Sequence, residues 1–88
     1  MAHRSEEKER RRQERIAREE EARRATARKR MLELLGTTGV MGATPTRLLA
    51  MLEVEGIAPA RESLEAWLAQ EESAGRVSRA SHGRWKAR

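Results

Sequence analysis

The chain has 88 residues, a formal net charge of +5, two Trp and no Cys, Tyr or Phe. A chain of this length forms one small domain at most and leaves little room for an enclosed active site. The lack of cysteine excludes disulfides and thiolate ligands for a structural zinc ion. No segment approaches the roughly 18 apolar residues of a membrane-spanning helix, and the N-terminus has no apolar signal core. We therefore expect a cytoplasmic protein without a membrane partner.

The charges are distributed unevenly along the chain. Residues 1–30 contain 12 Lys and Arg against 7 Glu, whereas residues 31–75 contain 2 Arg against 7 Glu. Residues 76–88 contain five Lys and Arg and no acidic residue. Both ends are thus basic and the middle is acidic, which predicts that a polyanion would meet the ends first.

Residues 1–30 form a charged arm rather than part of a core. They are almost all Arg, Glu, Gln and Ala, and Ile16 is the only large apolar residue between Met1 and Met31. Glutamate precedes arginine by four residues in five places, a spacing that stabilises a solvated helix. A heptad pattern is poor, so coiled-coil pairing along the whole arm is not supported. We predict a charged helix or a partly disordered tail.

Cations are dense in the first half of the arm. Five of them occur within eight residues, and they are the arm's candidate phosphate contacts: Lys8, Arg10, Arg11, Arg12 and Arg15. Exposed arginines of this density suit the sequence-independent neutralisation of nucleic-acid phosphates. A helix that merely remains solvated is the alternative.

Two helices are predicted after the arm's end. The first helix closes with four apolar residues, Met31, Leu32, Leu34 and Leu35. Three glycines, at 36, 39 and 42, then indicate a loop in which Val40 forms a short edge strand. Thr44 and Pro45 are typical of a helix start, and leucines in the following turns predict a second helix over about 45–54.

A third helix and a hairpin complete the pattern. Pro59 opens a helix whose apolar side contains Leu64, Trp67 and Leu68, and Gly75 ends it. Residues 77–85 indicate two short strands around the turn-forming segment 81–83, with the first and last of these residues facing inward. We assign the two tryptophans to the core, together with three methionines: Met31, Met41 and Met51.

Residues 31–88 resemble the winged helix-turn-helix family. The resemblance is carried by the order of elements, by Thr44-Pro45-Thr46-Arg47-Leu48-Leu49, by Gly56-Ile57, by the Leu64/Trp67/Leu68 face and by Ala74-Gly75-Arg76-Val77. It implies a mainly α fold, a three-helix winged helix-turn-helix with a short β-hairpin wing, preceded by the long charged helix. The expected domains are the arm, 1–30, and the winged helix-turn-helix domain, 31–88.

The resemblance also implies how DNA would be bound. In such proteins the third helix enters the major groove and the wing contacts the backbone. Carried onto this chain, Arg61 contacts guanine and Ser63 contacts a base or phosphate. The remaining implied contacts lie at the start of the second helix and in the wing: Arg47, Arg79, His82, Arg84 and Lys86. We expect a small DNA-binding protein, a transcriptional regulator or accessory factor of phage, plasmid or bacterial type, associated with the nucleoid.

Two alternatives to DNA remain open. The third helix holds several glutamates, which repel phosphates, so the domain could instead be a protein-interaction or scaffold module, or a homodimer. Residues 10–20, RRRQERIAREE, resemble the arginine-rich helices of phage antitermination peptides, which implies RNA binding.

Catalysis and cofactors are not expected. The two histidines lie near opposite ends of the chain, aspartate is absent, and neither a metal-ligand spacing nor a glycine-rich phosphate loop occurs. No serine has the histidine and carboxylate neighbours that activate a nucleophile. We therefore expect a non-enzymatic binding protein with no cofactor and no metal.

Overall fold

The computed structural model describes the backbone of residues 2–88 and the side chains of residues 10–88. Three helices come first: α1 (Ala2–Thr37), α2 (Pro45–Val54) and α3 (Arg61–Ser73). Two short antiparallel strands follow, β1 (Val77–Arg79) and β2 (Trp85–Ala87), with Val77 opposite Ala87 and Arg79 opposite Trp85. The expected fold class is confirmed: the protein is mainly α, with a long N-terminal helix, two further helices and a C-terminal hairpin.

Helix α1 is one continuous helix that crosses residues 30 and 31 without interruption. Its N-terminal part, rich in charge, projects beyond the folded body, and the molecule measures 61 × 28 × 17 Å. Among the described side chains of α1, Ala27 is the first that is buried, and Met31, Leu34 and Leu35 continue the same face into the core. The helix also runs through Gly36 to Thr37, two residues further than the sequence indicated, and the turn that follows begins where Thr38 donates its N–H to the Leu35 carbonyl.

The core lies where α1, α2, α3 and the hairpin meet. Leucines at 48 and 52 on α2 and at 64 and 68 on α3 are fully buried, and Val77 and both tryptophans are at least nine-tenths buried. The placement of Val77, Trp67 and Trp85 in the core is thus confirmed. Met31 is buried and Met51 packs against the core, but the assignment of Met41 is wrong because its side chain is 61% exposed.

The starts and ends of α2 and α3 follow from local chemistry. The Thr44 side chain accepts a hydrogen bond from the Arg47 N–H at 3.2 Å, which confirms the N-cap of α2. Helix α3 begins at Arg61 with Ala60 as its N-cap, so Pro59 lies before the helix rather than inside it. Gly75 follows the end of α3 with φ +78°, a left-handed conformation that glycine adopts without strain.

The segment between α1 and α2 differs from the prediction. Gly39–Met41 form a 3-10 turn rather than an edge strand, and Val40 is 85% exposed. The backbone pairing occurs at Ala43 instead, which exchanges two hydrogen bonds of 2.8 Å with Trp85. The loop backbone comes so close to Trp85 here that residue 42 must be glycine, because a Cβ there would lie 2.1 Å from the Trp85 carbonyl oxygen. The loop therefore adds one bridge to the hairpin.

Candidate nucleic-acid interface

The arginines of the arm are exposed on α1. Arg10, Arg11, Arg12 and Arg15 are all solvent-exposed, as is Arg18, and the side chain of Lys8 lies outside the described residues. Among the side chains of residues 10–88, none of these five arginines has a carboxylate within ion-pair distance. Of the expected Glu–Arg pairs for which both side chains are described, one forms, between Glu20 and Arg24 at 3.8 Å. The arm therefore presents five arginines that pair with none of the carboxylates of residues 10–88.

The base of the arm is fixed to the body by two arginines of α1. Arg28 donates to the Glu71 carboxylate at 2.6 and 3.0 Å and to the Gln70 amide oxygen at 2.7 Å, both on α3. Arg30 donates to Glu55, which follows α2, at 2.6 Å. These contacts join α1 to both other helices, and they fix the direction in which the exposed arginines project.

Glu71 is the one buried charged side chain among the described residues, with 2% of its surface exposed. Arg76 and Arg28 both donate to its carboxylate. The hydrogen bond from Arg76, more than that from Arg28, lowers the pKa of Glu71 to about 2, against the desolvation that would raise it. Sequence reasoning missed this cluster. Its signal is that Glu71 occupies the next position of the apolar stripe formed by Leu64, Trp67 and Leu68.

Part of the charge asymmetry seen in the sequence is neutralised internally. The basic ends contribute Arg28, Arg30, Arg76 and Arg79 to ion pairs with glutamates of the acidic middle. The hydrogen bond from Arg30 likewise lowers the pKa of Glu55. Fewer cations are thus left for a polyanion than the sequence suggested. Of the predicted arginine and lysine contacts with described side chains, those without an ion-pair partner among residues 10–88 are Arg10, Arg11, Arg12, Arg15, Arg47, Arg84 and Lys86.

The N-termini of α2 and α3 lie side by side. The Arg61 guanidinium donates to the Thr46 hydroxyl on α2 at 3.0 Å and to the Glu65 carboxylate one turn along α3 at 3.2 Å. Arg47, next to Thr46, is exposed, so two predicted contacts share this end of the body. Ser63 is half-buried and faces α1 across a groove, away from Arg61. Arg61, the α3 residue expected to contact guanine, therefore already has two hydrogen-bond partners within the protein.

The hairpin holds the remaining predicted contacts. Arg79 lies over the Trp85 ring, with 4.7 Å between its guanidinium carbon and the ring centroid, and donates to Glu72 at 3.2 Å. His82 is exposed at the tip, with φ +61°, and Arg84 donates to the Ser81 carbonyl at 3.1 Å. Lys86, on β2, is half-buried. Arg79 is thus held by an aromatic ring and a carboxylate, and Arg84 by a carbonyl of the same hairpin.

A groove of about 610 Å³ lies in the corner between the projecting arm and the body. Its lining is mainly apolar and comes from α1, from the α2–α3 loop and from α3. The residues are Ala22, Arg23, Arg24, Thr26, Ala27, Gly56, Ile57, Ala58, Pro59, Ala60, Ser63 and Trp67. The predicted site residue Ser63 thus belongs to this groove.

The part of the chain that the structure describes contains no cluster of three or more His and Glu side chains that could hold a metal ion. No helix in that part combines the length and the apolar composition needed to cross a membrane. Comparisons of the chain with known protein families, with curated proteins and with solved structures gave no match in any of the three.

Proposed function

We propose that this protein binds double-stranded DNA as a winged helix-turn-helix module, a small regulator or accessory factor whose arm supplies most of the phosphate contacts. One observation carries the proposal. Arginines 10, 11, 12, 15 and 18 are exposed, lack ion-pair partners among the described side chains, and lie on a helix continuous with the folded body. A rigid row of cations pays less conformational entropy on binding phosphates than a loose tail does.

The other contacts divide into backbone and base contacts. Arg47, Arg84, Lys86 and His82 suit phosphates, since they are polar or cationic groups on the body's surface. Arg61, at the first position of α3, is the candidate for reading guanine. To do so it must exchange its bonds to Glu65 and Thr46 for bonds to the base. We therefore expect strong backbone binding and modest sequence preference.

The test is fluorescence anisotropy with a labelled duplex over a series of salt concentrations. If about five cations meet phosphates, log K falls with log salt with a slope near −4 to −5. Replacing Arg10, Arg11, Arg15 and Arg18 with Gln removes four cations, so the slope should become shallower by roughly 3 to 4. No binding at low salt would refute the proposal.

A matched control is Arg30→Gln, which removes one cation already bonded to Glu33 and Glu55. The slope of log K against log salt should differ from that of the wild type by less than about 0.5 in this variant, because the Arg30 guanidinium is not available to a phosphate. Arg61→Ala should reduce the difference in affinity between preferred and random duplexes while leaving the salt slope almost unchanged. An RNA hairpin that outcompetes the duplex would favour the RNA alternative.

A second candidate function is protein binding, and the surface of α3 favours it. Glu62 and Glu65 are exposed on α3 and Glu72 is half-buried there, and their charges would repel a phosphate backbone placed along that helix. A basic protein segment would instead be attracted. Replacing Glu62 with Gln separates the two: it should strengthen duplex binding if α3 faces DNA, and leave duplex binding unchanged if α3 faces a protein.

A further inference from the structure

The groove between the projecting arm and the body is lined mainly by apolar side chains. Ile57 and Pro59, in the α2–α3 loop, are half-buried, and Ala22 on α1 is exposed. Trp67 on α3 and Ala27 on α1 also line it. Its volume of about 610 Å³ lies within the range of known binding sites. The groove is therefore large enough to accept a few apolar side chains of a partner.

The edge of this groove is positively charged. Of the described residues that line it, the two that carry a charge are Arg23 and Arg24, both exposed on α1. Among residues 10–88, Arg23 has no carboxylate within ion-pair distance. Arg24 has Glu20 at 3.8 Å, in a pair whose side chains are both more than half exposed. Ser63 adds a half-buried hydroxyl, so the groove combines an apolar lining with a cationic edge.

This combination fits an apolar segment that carries carboxylates. Apolar side chains would remove the lining from water, and carboxylates accept strong hydrogen bonds from guanidinium groups. A nucleic-acid backbone could meet the arginines, but its phosphates would lose hydration against the apolar lining. A basic segment would be repelled by the arginines. Residues 10–26 of α1 are exposed throughout, so a polypeptide longer than the groove can continue along the arm.

We propose that the groove binds a short acidic, amphipathic segment of a partner protein. The apolar side chains of the segment contact Ile57, Pro59 and Trp67, and its carboxylates accept hydrogen bonds from Arg23 and Arg24. This site is distinct from the glutamate-bearing surface of α3, because it consists of other residues and attracts the opposite charge. Binding in the groove does not depend on the binding of a duplex.

The test begins with a display library of random short peptides, selected against the immobilised full chain. The selected peptides should be enriched in sequences that combine large apolar residues with Asp or Glu. A labelled selected peptide should then bind the full chain in fluorescence anisotropy. No enrichment over the bare support, or enrichment of basic peptides, would refute the proposal.

Ala22→Glu tests whether the selected peptide occupies the groove. The substitution places a carboxylate among the lining residues without removing a core side chain, so it should weaken peptide binding by about tenfold or more. Ala25→Glu is the matched control, because Ala25 is also exposed on α1 but does not line the groove. It should weaken binding by about twofold or less. Equal weakening in the two variants would indicate general attraction to the arm and would overturn the proposal.

Arg23→Gln and Arg24→Gln test the contacts to the carboxylates. Each variant removes one cation from the edge of the groove and should weaken peptide binding by about threefold, the size expected of an exposed ion pair. Lys29→Gln removes one cation from an exposed position outside the groove and should leave the affinity within about 1.5-fold of wild type. Unchanged affinity in both arginine variants would contradict the proposed contacts.

Duplex binding separates this proposal from the DNA-binding function. Ala22→Glu and Ala25→Glu add the same charge to the arm, so they should weaken the binding of a labelled duplex to a similar extent. Duplex binding without peptide selection would refute the groove proposal alone, and the reverse result would refute DNA binding alone. Circular dichroism of each variant shows whether the fold persists. A wild-type dimer in sedimentation equilibrium that Ala22→Glu dissociates would place a second copy in the groove and overturn the proposal of a separate partner.

Discussion

Replacing Glu71 with glutamine tests the contact that joins the arm to the body. The wild-type carboxylate is 2% exposed and accepts hydrogen bonds from Arg28 on α1 and from Arg76 after α3. Glutamine has nearly the same shape and keeps one acceptor oxygen, but it carries no charge. The variant therefore removes the charge interaction while leaving the packing around α3 almost unchanged.

The size of the effect follows from the pKa of Glu71, which is lowered from 4.5 to about 2. At about 1.36 kcal/mol per pKa unit, a difference of this size corresponds to roughly 3 kcal/mol of stability at neutral pH. The Arg76 side chain is 62% exposed, so water screens part of this interaction. We expect Glu71→Gln to lower the free energy of unfolding by about 2 kcal/mol at pH 7.

The sign of the pH dependence is fixed by the lowered pKa. The unfolded chain takes up the proton near pH 4.5 and the folded protein only near pH 2, so the stabilisation is complete above about pH 5 and lost as the pH falls toward 2. Urea unfolding followed by circular dichroism at pH 7, 5 and 3 measures it. The difference between wild type and Glu71→Gln should shrink to about half its neutral value at pH 3.

The neighbouring residue supplies the control. Glu72 is ion-paired with Arg79, but water reaches both side chains, which keep 39% and 70% of their surface exposed. Glu72→Gln should change stability by less than about 0.5 kcal/mol at any pH. Equal stability of Glu71→Gln and wild type at neutral pH, or a deficit that persists unchanged at pH 3, would contradict the reasoning.

Two further predictions concern the body. Gly42→Ala should destabilise by about 3 kcal/mol or more and lower Tm by over roughly 10 °C, because Gly42 has φ +69° and a Cβ would meet the Trp85 carbonyl. Gly36→Ala, a helical site with open space, should leave Tm equal or higher by a few degrees. Leu68→Ala should cost about 2 to 5 kcal/mol in urea unfolding, whereas Val54→Ala, which is 88% exposed, should cost less than about 0.5. Similar effects at the buried and exposed sites would contradict the core described here.

Much of the fold was predictable from residues close together in the sequence. Thr44 and Pro45 start α2, Gly75 follows the end of α3, and the turn at 81–83 separates two strands, all as expected. Each of these features depends on a few neighbouring residues: a hydroxyl that caps an N–H, a backbone that adopts positive φ, a short turn. The periodic apolar residues of α3 likewise indicated which side is buried, because helical spacing places them on one face.

The candidate site was predictable only as a set of exposed charges. The sequence shows that arginines are dense in residues 10–18, and the structure places their side chains at the surface. The sequence alone does not show which arginines are already hydrogen-bonded to carboxylates within the protein. Arg61 and Arg79 were named as contacts for nucleic acid, and both have carboxylate partners, Glu65 and Glu72. Whether any of the named residues contacts DNA stays a prediction.

What the sequence by itself determined is therefore the local structure: three helices, the hairpin, the buried stripe of α3 and a cationic first helix. Tertiary structure alone decided that Glu71 is buried between Arg28 and Arg76, that Ala43 rather than Val40 pairs with the hairpin, and that a groove opens between α1 and the α2–α3 loop. The physical reason is distance along the chain. A cap or a turn is decided within four or five residues, whereas an ion pair between residues 28 and 71 exists only once the packing of the helices has brought them together.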